Sequence, residues 1–307
     1  MRTGPARILF VSGKGGTGKS FVAEALGREA ASRGTEVVLV RVRASASAGG
    51  DGEPNSESAV SPPRRDARAS NRTSAESLVA FKEVHLDEKA ALEEFLTRVL
   101  PLGFVARRLL GGRMLSALAA AAPGLRDLVT LTAITALATD HRGHTHDLLV
   151  VDAPATTHGV PLLTAPTRVL EITPTGPLTR EAETARELIT DPRRFIPLIV
   201  TTPEELAVTE AISLHDDMRD AGVPAARVVV NGLWPARLAP EHAKWLLATR
   251  VSSDAIVHHK RRQRQLELID TLERRVGRCP TLPFMFDDRP VAAGVIAALL
   301  DTVLGAA

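Results

Sequence analysis

An α/β fold, a doubly wound and mostly parallel sheet with an inserted helical subdomain, is what this sequence predicts. Two observations carry that prediction. Near-continuous Val/Leu/Ile runs recur along the chain, the composition of strands buried on both faces. Helical patterns fall between them, and strands that alternate with helices build a parallel sheet covered on both sides. The 307 residues are 44% apolar, enough to bury one large core, so residues 1–307 read as a single domain.

Strands are expected over Arg7–Ser12, Glu36–Val42, Asp147–Asp152, Val169–Thr173, Ile196–Thr201 and Arg227–Asn231, with a weaker seventh over Thr281–Phe286. Helices are expected over Phe21–Arg33 (ended by Gly34), Pro177–Leu188, Pro203–Asp220, Arg262–Arg275 and Pro290–Leu304. Two segments break the rhythm. Ala44–Ser77 is rich in Ala, Ser, Gly, Pro and Arg and reads as a flexible insertion. Residues 86–140 read as a helical subdomain, with helices expected over Asp87–Leu100, Phe104–Leu118 and Leu125–Leu137.

Composition narrows the function classes. A net charge of only +2 gives no global pull toward nucleic acid. The single cysteine, Cys279, excludes a disulfide framework and a paired-thiolate metal site, and suits a reducing compartment. The chain enters a strand within its first ten residues, and no uncharged apolar run reaches the roughly 18–20 residues of a spanning helix. A soluble, cytoplasmic protein is the expectation.

The chemistry is concentrated in Gly13-Lys14-Gly15-Gly16-Thr17-Gly18-Lys19-Ser20, which follows the apolar run Ile8-Leu9-Phe10-Val11 and precedes a helix. It fits G-x-x-x-x-G-K-[ST], the phosphate-binding loop of P-loop NTPases. Backbone N–H groups left over at a helix N-terminus point there at a nucleotide's phosphates. Glycines permit the close backbone approach and the φ values the loop needs. Lys19 reaches the β- and γ-phosphates, and the Ser20 hydroxyl binds Mg²⁺. The expected ligands are therefore ATP and Mg²⁺; the plain alternative is a glycine turn.

Lys14 adds a second cation, and Lys14-Gly15-Gly16-Thr17-Gly18-Lys19-Ser20 resembles the deviant loop K-G-G-x-G-K-[ST]. That loop belongs to dimeric ATPases including the arsenite-pump, tail-anchored protein-targeting, septum-site and partition ATPases. The resemblance implies that Lys14 crosses a dimer interface to the partner's nucleotide, with the logic of an arginine finger. Leu148-Leu149-Val150-Val151-Asp152-Ala153-Pro154-Ala155-Thr156-Thr157-His158 resembles the switch II signature D-x-A-P-T-G-H of the arsenite-pump and tail-anchored-targeting members. It implies that Asp152 holds a water of the Mg²⁺ shell; Thr157 stands where glycine is usual and stiffens the loop.

Val200–Leu206 followed by Val228-Val229-Val230-Asn231-Gly232 is similar to the same family's late strands. The resemblance implies that Asn231 recognises adenine through an amide that donates and accepts. Leu282-Pro283-Phe284 resembles the loop on the adenine's other side, which places Pro283 there, and Phe21 is counted among the residues around the nucleotide. The 86–140 region resembles the bacterial anion-transporting ATPase-like branch. The implied catalytic set is Lys14, Lys19 and Asp152; Ser20 and Asp152 are the metal pair. The implied partner is a second copy or a paralogous ATPase, with a hydrophobic or membrane-protein client.

The resemblance fails at one point. The family's hydrolytic aspartate follows the second strand, yet here Val37–Val42 runs into Arg43-Ala44-Ser45-Ala46-Ser47, and Asp51 and Glu53 lie in the insertion. Losing a positioned base costs about 10²–10⁴ in rate, so slow turnover, or none without an active paralogue, is the alternative expectation. The arsenite cysteines and the C-x-x-C zinc bridge are absent too. His141, His144 and His146 lack a completing ligand set and read as an exposed loop, and His258–Arg264 reads as a solvated helix start.

Overall fold

The computed structural model describes residues 6–42, 81–99, 124–138, 146–154, 156–173, 175–237, 239, 241–242, 254–286 and 293–305. The expected insertion at 44–77, the helix expected over Phe104–Leu118, His141 and His144 lie outside the described residues. Seven strands form one sheet in the order β3-β2-β4-β1-β5-β6-β7, every pairing parallel. They are β1 (Arg7–Ser12), β2 (Val37–Val42), β3 (Phe81–Leu86), β4 (Leu148–Asp152), β5 (Phe195–Thr201), β6 (Arg227–Leu233) and β7 (Thr281–Pro283). Eight helices occur among the described residues: α1 (Lys19–Ser32), α2 (Glu88–Val99), α3 (Leu125–Leu137), α4 (Thr156–Ile172), α5 (Pro177–Thr190), α6 (Glu205–Asp220), α7 (Asp254–Val276) and α8 (Ala293–Leu304).

Period-two alternation sorts the central strands into two cores. Ile8 and Phe10 of β1 join Val38, Val40, Leu149 and Val151 in one core beneath helices α2 to α7. Leu9 and Val11 join Val37, Leu39, Leu148 and Val150 in the other, under α1 and α8. Each face of the sheet is thus covered, which explains the unbroken apolar runs of its inner strands. Helices α2 and α3 bury Phe95, Leu128, Leu131 and Ile134 in the same core as the sheet. From β1 the chain crosses to β2 on one side, whereas β5 leads to β6 on the other. The loop after β1 therefore sits at the carboxyl ends of the strands, where the winding reverses, the usual ligand position in such sheets.

Two expectations are corrected. Val169–Thr173 is not a strand: residues to Ile172 finish α4, whose buried Leu162, Ala165 and Val169 recur at helical spacing. Pro161 and Pro166 lie within that helix and disguise it, because proline removes an N–H and usually signals a break. Conversely, Phe81–Leu86 is an edge strand that the sequence conceals. It alternates Phe81, Val84 and Leu86 with exposed Lys82, Glu83 and His85, a polar edge that also resists pairing with another chain.

Candidate functional site

The loop after β1 folds on itself around one carbonyl. Lys14 O accepts from Thr17 Oγ1 at 2.9 Å and from Lys19 Nζ at 2.9 Å. The N–H groups of Gly15, Gly16, Gly18, Lys19 and Ser20 have no acceptor among the described residues. Gly18, in the left-handed region at φ 88°, begins α1 with no side-chain cap. The first-turn donors are therefore free for an anion. Gly13 (φ 142°) lies so close to β5 that a Cβ would run into the Val200 carbonyl, and one on Gly18 would run into the Asn231 amide. At Gly15 a Cβ would meet nothing within 4 Å, so that side of the loop is open.

Burial lowers the Lys19 ammonium's pKa, and the nearby Asp152 charge partly offsets this. Asp152, at the end of β4, is buried and shares the α1 face of the sheet with Val150. Arg41 of β2 lies on the same face, and the register sets it directly opposite Asp152. Its guanidinium donates from Nη1 to Asp152 Oδ2 at 3.2 Å and from Nη2 to Glu24 Oε2 of α1 at 2.9 Å, and also pairs with Glu83 of β3. These carboxylates, Glu83 first, raise the Arg41 pKa. Sequence reasoning passed over Arg41; its signal was a lone charge on an inward position of an otherwise Val/Leu strand.

Lys14 turns away from its own loop and donates to Glu210 Oε1 of α6 at 2.8 Å. Asn231 donates from Nδ2 to Thr17 O at 2.9 Å, so the amide braces the loop while its carbonyl oxygen has no partner among the described residues. Ser20 and Phe21 are exposed on the first turn of α1. Ser12 Oγ is buried without a partner among the described residues, and a Cβ on Gly159 of α4 would come within 2.7 Å of it. The end of β1 and the first turn of α4 thus approach each other closely.

Beside the loop lies a cavity of about 440 Å³ lined by Lys14, Thr17, Trp234, Arg261, Gln265 and Phe284. That volume suits a small ligand. Trp234 and Phe284 have ring centres 5.8 Å apart, and Arg261 lies over Trp234 at 4.3 Å. Pro283 ends β7 beside this wall, but Phe284 rather than Pro283 lines the cavity. Residues 258–264 lie in the first turns of α7 with Lys260, Arg261 and Arg264 exposed, while His258 contacts Pro235 O at 2.8 Å and Arg262 donates to Trp234 O. In a chain with 3% aromatic residues, Trp234 just beyond Asn231-Gly232 was the available signal for this wall. His146 contacts Glu36 at 3.1 Å, and no cluster able to hold a metal through His, Cys, Asp and Glu alone occurs among the described residues.

The donors without acceptors, the half-buried Lys19 and the carboxylate at the end of β4 fit a magnesium nucleotide. Ser20 and Asp152 would hold the ion, which supplies neutralising charge to phosphate oxygens when bound. No protein-family model matches the chain. The chain is similar to the mycobacterial protein named ATPase BagA from Mycobacterium tuberculosis, with 28% identity over 258 residues, covering 83% of this chain and 73% of the relative. A Mycobacterium bovis protein whose name also describes an ATPase matches with the same identity and coverage.

Proposed function

We propose that this chain is a cytoplasmic ATP-dependent switch that hydrolyses ATP slowly and works as a dimer in the manner of the arsenite-pump and tail-anchored-targeting ATPases. The observation that carries the reading is the set of acceptor-free N–H groups at Gly15, Gly16, Gly18, Lys19 and Ser20, with Lys19 beside them. Such a cradle takes a triphosphate, and Lys19 then exchanges the Lys14 carbonyl for phosphate oxygen. The relatives' names support ATP as the nucleotide. Trp234 and Phe284 offer apolar faces to a purine, and Asn231 Oδ1 offers an acceptor to its amino group. Among the described residues no helix is long and apolar enough to cross a membrane.

The dimer assigns Lys14 its role. In the single chain Glu210 neutralises it, so reaching a partner's phosphates requires breaking that pair. Both side chains are roughly a third exposed, and such a pair contributes about 0–1 kcal/mol, a weak restraint. A nucleotide favours the closed dimer only to the extent that it binds that state better. The partner is a second copy or a paralogue, and the client is hydrophobic. Helix α3 commits Leu128, Val129, Leu131 and Ile134 to the core and leaves Leu125 and Leu137 only partly buried.

Slow turnover follows from the charge arrangement around Asp152. Glu24 and Glu83, which share Arg41 with Asp152, are both engaged by that arginine, which leaves neither free to orient an attacking water. This observation also favours a second reading, a nucleotide-binding subunit that depends on an active paralogue. Phosphate release and light scattering on the purified chain test both. We expect ATP-dependent dimers with slow turnover, and a Lys14→Ala variant that still binds ATP but loses dimer-stimulated turnover. Turnover by the chain alone eliminates the second reading; rapid turnover by a monomer contradicts the first.

A further inference from the structure

At the opposite end of the sheet from the phosphate loop, a cavity of about 480 Å³ opens between the starts of β1, β5 and β6 and helix α8. Among the described residues its lining includes Arg7, Arg227 and Arg278 and no acidic residue; Thr302 is the one other polar side chain among them, and the remainder is apolar, including Phe195, Leu299 and Val303. None of the three arginines has a carboxylate partner among the described residues.

What Arg7 and Arg227 do touch is the end of α8. Arg7 donates from Nη2 to Leu304 O at 2.9 Å, and Arg227 from Nη1 to Thr302 O at 2.8 Å. A helix C-terminus carries about half a negative charge, whereas the two guanidiniums carry two positive ones. Capping a helix therefore leaves more than one charge uncompensated. Arg7 Nε is also buried with no acceptor among the described residues, an expensive state for an ionised donor. Burial lowers the pKa values of Arg7 and Arg227, and Arg7 lowers that of Arg227 further, as expected of like charges held together.

We propose that this cavity is a second ligand site, for a soluble amphiphilic anion: a carboxylate or phosphate head on Arg7, Arg227 and Arg278, with a short apolar chain between Phe195 and Leu299. Guanidiniums pair with planar or tetrahedral oxyanions through two parallel donors, and several N–H groups of these residues are uncommitted. The apolar walls exclude a bare, strongly hydrated anion as the best occupant. The volume suits a ligand of drug-like size or smaller. The site is independent of the nucleotide reading, since it lies at the amino ends of the strands and shares no lining residue with the cavity beside the loop.

Calorimetric titration of the full chain with octanoate, octyl phosphate, octanol and inorganic phosphate tests it. We expect saturable binding of octanoate or octyl phosphate, and weaker binding of octanol and of inorganic phosphate. Arg7→Gln and Arg227→Gln are each expected to lower the affinity about tenfold or more, the value of a charge-assisted contact. Because both residues also cap α8, the exposed Arg278→Glu provides a variant that spares the fold, with a loss of similar direction. Lys19→Ala is expected to bind octanoate unchanged; loss of binding there would move the site to the phosphate loop. Absence of binding, equal affinity for octanol or for phosphate, or indifference to all three arginine changes would overturn the proposal.

Discussion

The two ends of the same sheet differ in how they treat charge. At the carboxyl ends Lys14, Lys19 and Arg41 each have an oxygen to hold: Lys14 on Glu210, Lys19 on the Lys14 carbonyl, Arg41 on Asp152, Glu24 and Glu83, while Arg261 lies over Trp234. At the amino ends Arg7, Arg227 and Arg278 face an apolar cavity without a carboxylate. The first end resembles a mechanism at rest, its charges parked on partners that a nucleotide would displace. The second end holds positive charge in reserve. Strand geometry is common to both, so the contrast is set by side chains and by the glycines that let backbone N–H groups act as ligands.

The largest effects are expected where the loop's backbone is most constrained. Lys19→Ala removes a charged donor worth about 1.5–3 kcal/mol, a loss of about 10- to 150-fold in ATP affinity by fluorescence titration. Gly13→Ala is expected to destabilise by about 1–3 kcal/mol in urea unfolding, since its Cβ meets the Val200 carbonyl and its φ is 142°. Gly15→Ala, with open space around it, is expected to leave stability nearly unchanged. Equal costs for the two would mean that the loop does not lie against β5 as described.

Arg41→Met sharpens the contrast between occupied and reserve charge. Asp152 then lacks its competing cation, and the Mg²⁺ concentration needed for tight nucleotide binding should fall. The variant should also lose about 1–3 kcal/mol of stability, because three carboxylates are left facing one another. An unchanged Mg²⁺ requirement would show that the Arg41–Asp152 pair does not oppose metal binding. Glu210→Gln is a gentler change: stability should move by less than about 1 kcal/mol, while ATP-dependent dimerisation should strengthen as Lys14 is released.

The smallest effect concerns acid. Glu24's pKa lies below its ordinary value, chiefly through its bond to Arg28 and also through Arg41. A depressed carboxylate pKa contributes stability above the unfolded value of about 4.3, and that contribution is lost as pH falls through the folded value. Acid unfolding of Glu24→Gln should therefore be less steep below that pH than the parent's. Cys279, pushed up to about 12 mainly by burial, should react slowly with thiol reagents until the chain unfolds.

Legibility in the sequence followed the range of the interaction. The loop, β1, β4, β5 and β6 could be read because each is a local pattern of apolar residues with its own punctuation. The segment Phe81–Leu86 could not, because an edge strand with Lys82, Glu83 and His85 looks like polar connection. Residues 169–172 misled because Pro161 and Pro166 hid the helix leading into them. The pairs Arg41–Asp152 and Lys14–Glu210 span 111 and 196 residues and exist only through strand register and packing. The arginine-lined cavity likewise joins three distant positions, none of which carries a local signature.

The central claim is that the free N–H groups after β1, with Lys19, hold the triphosphate of ATP. Isothermal titration of the folded chain with ATP and Mg²⁺ tests it most directly. The account predicts a saturable heat near one nucleotide per chain, with the affinity lowered about tenfold or more in Lys19→Ala. No heat from a chain shown to be folded, or the same affinity in the variant, would contradict it.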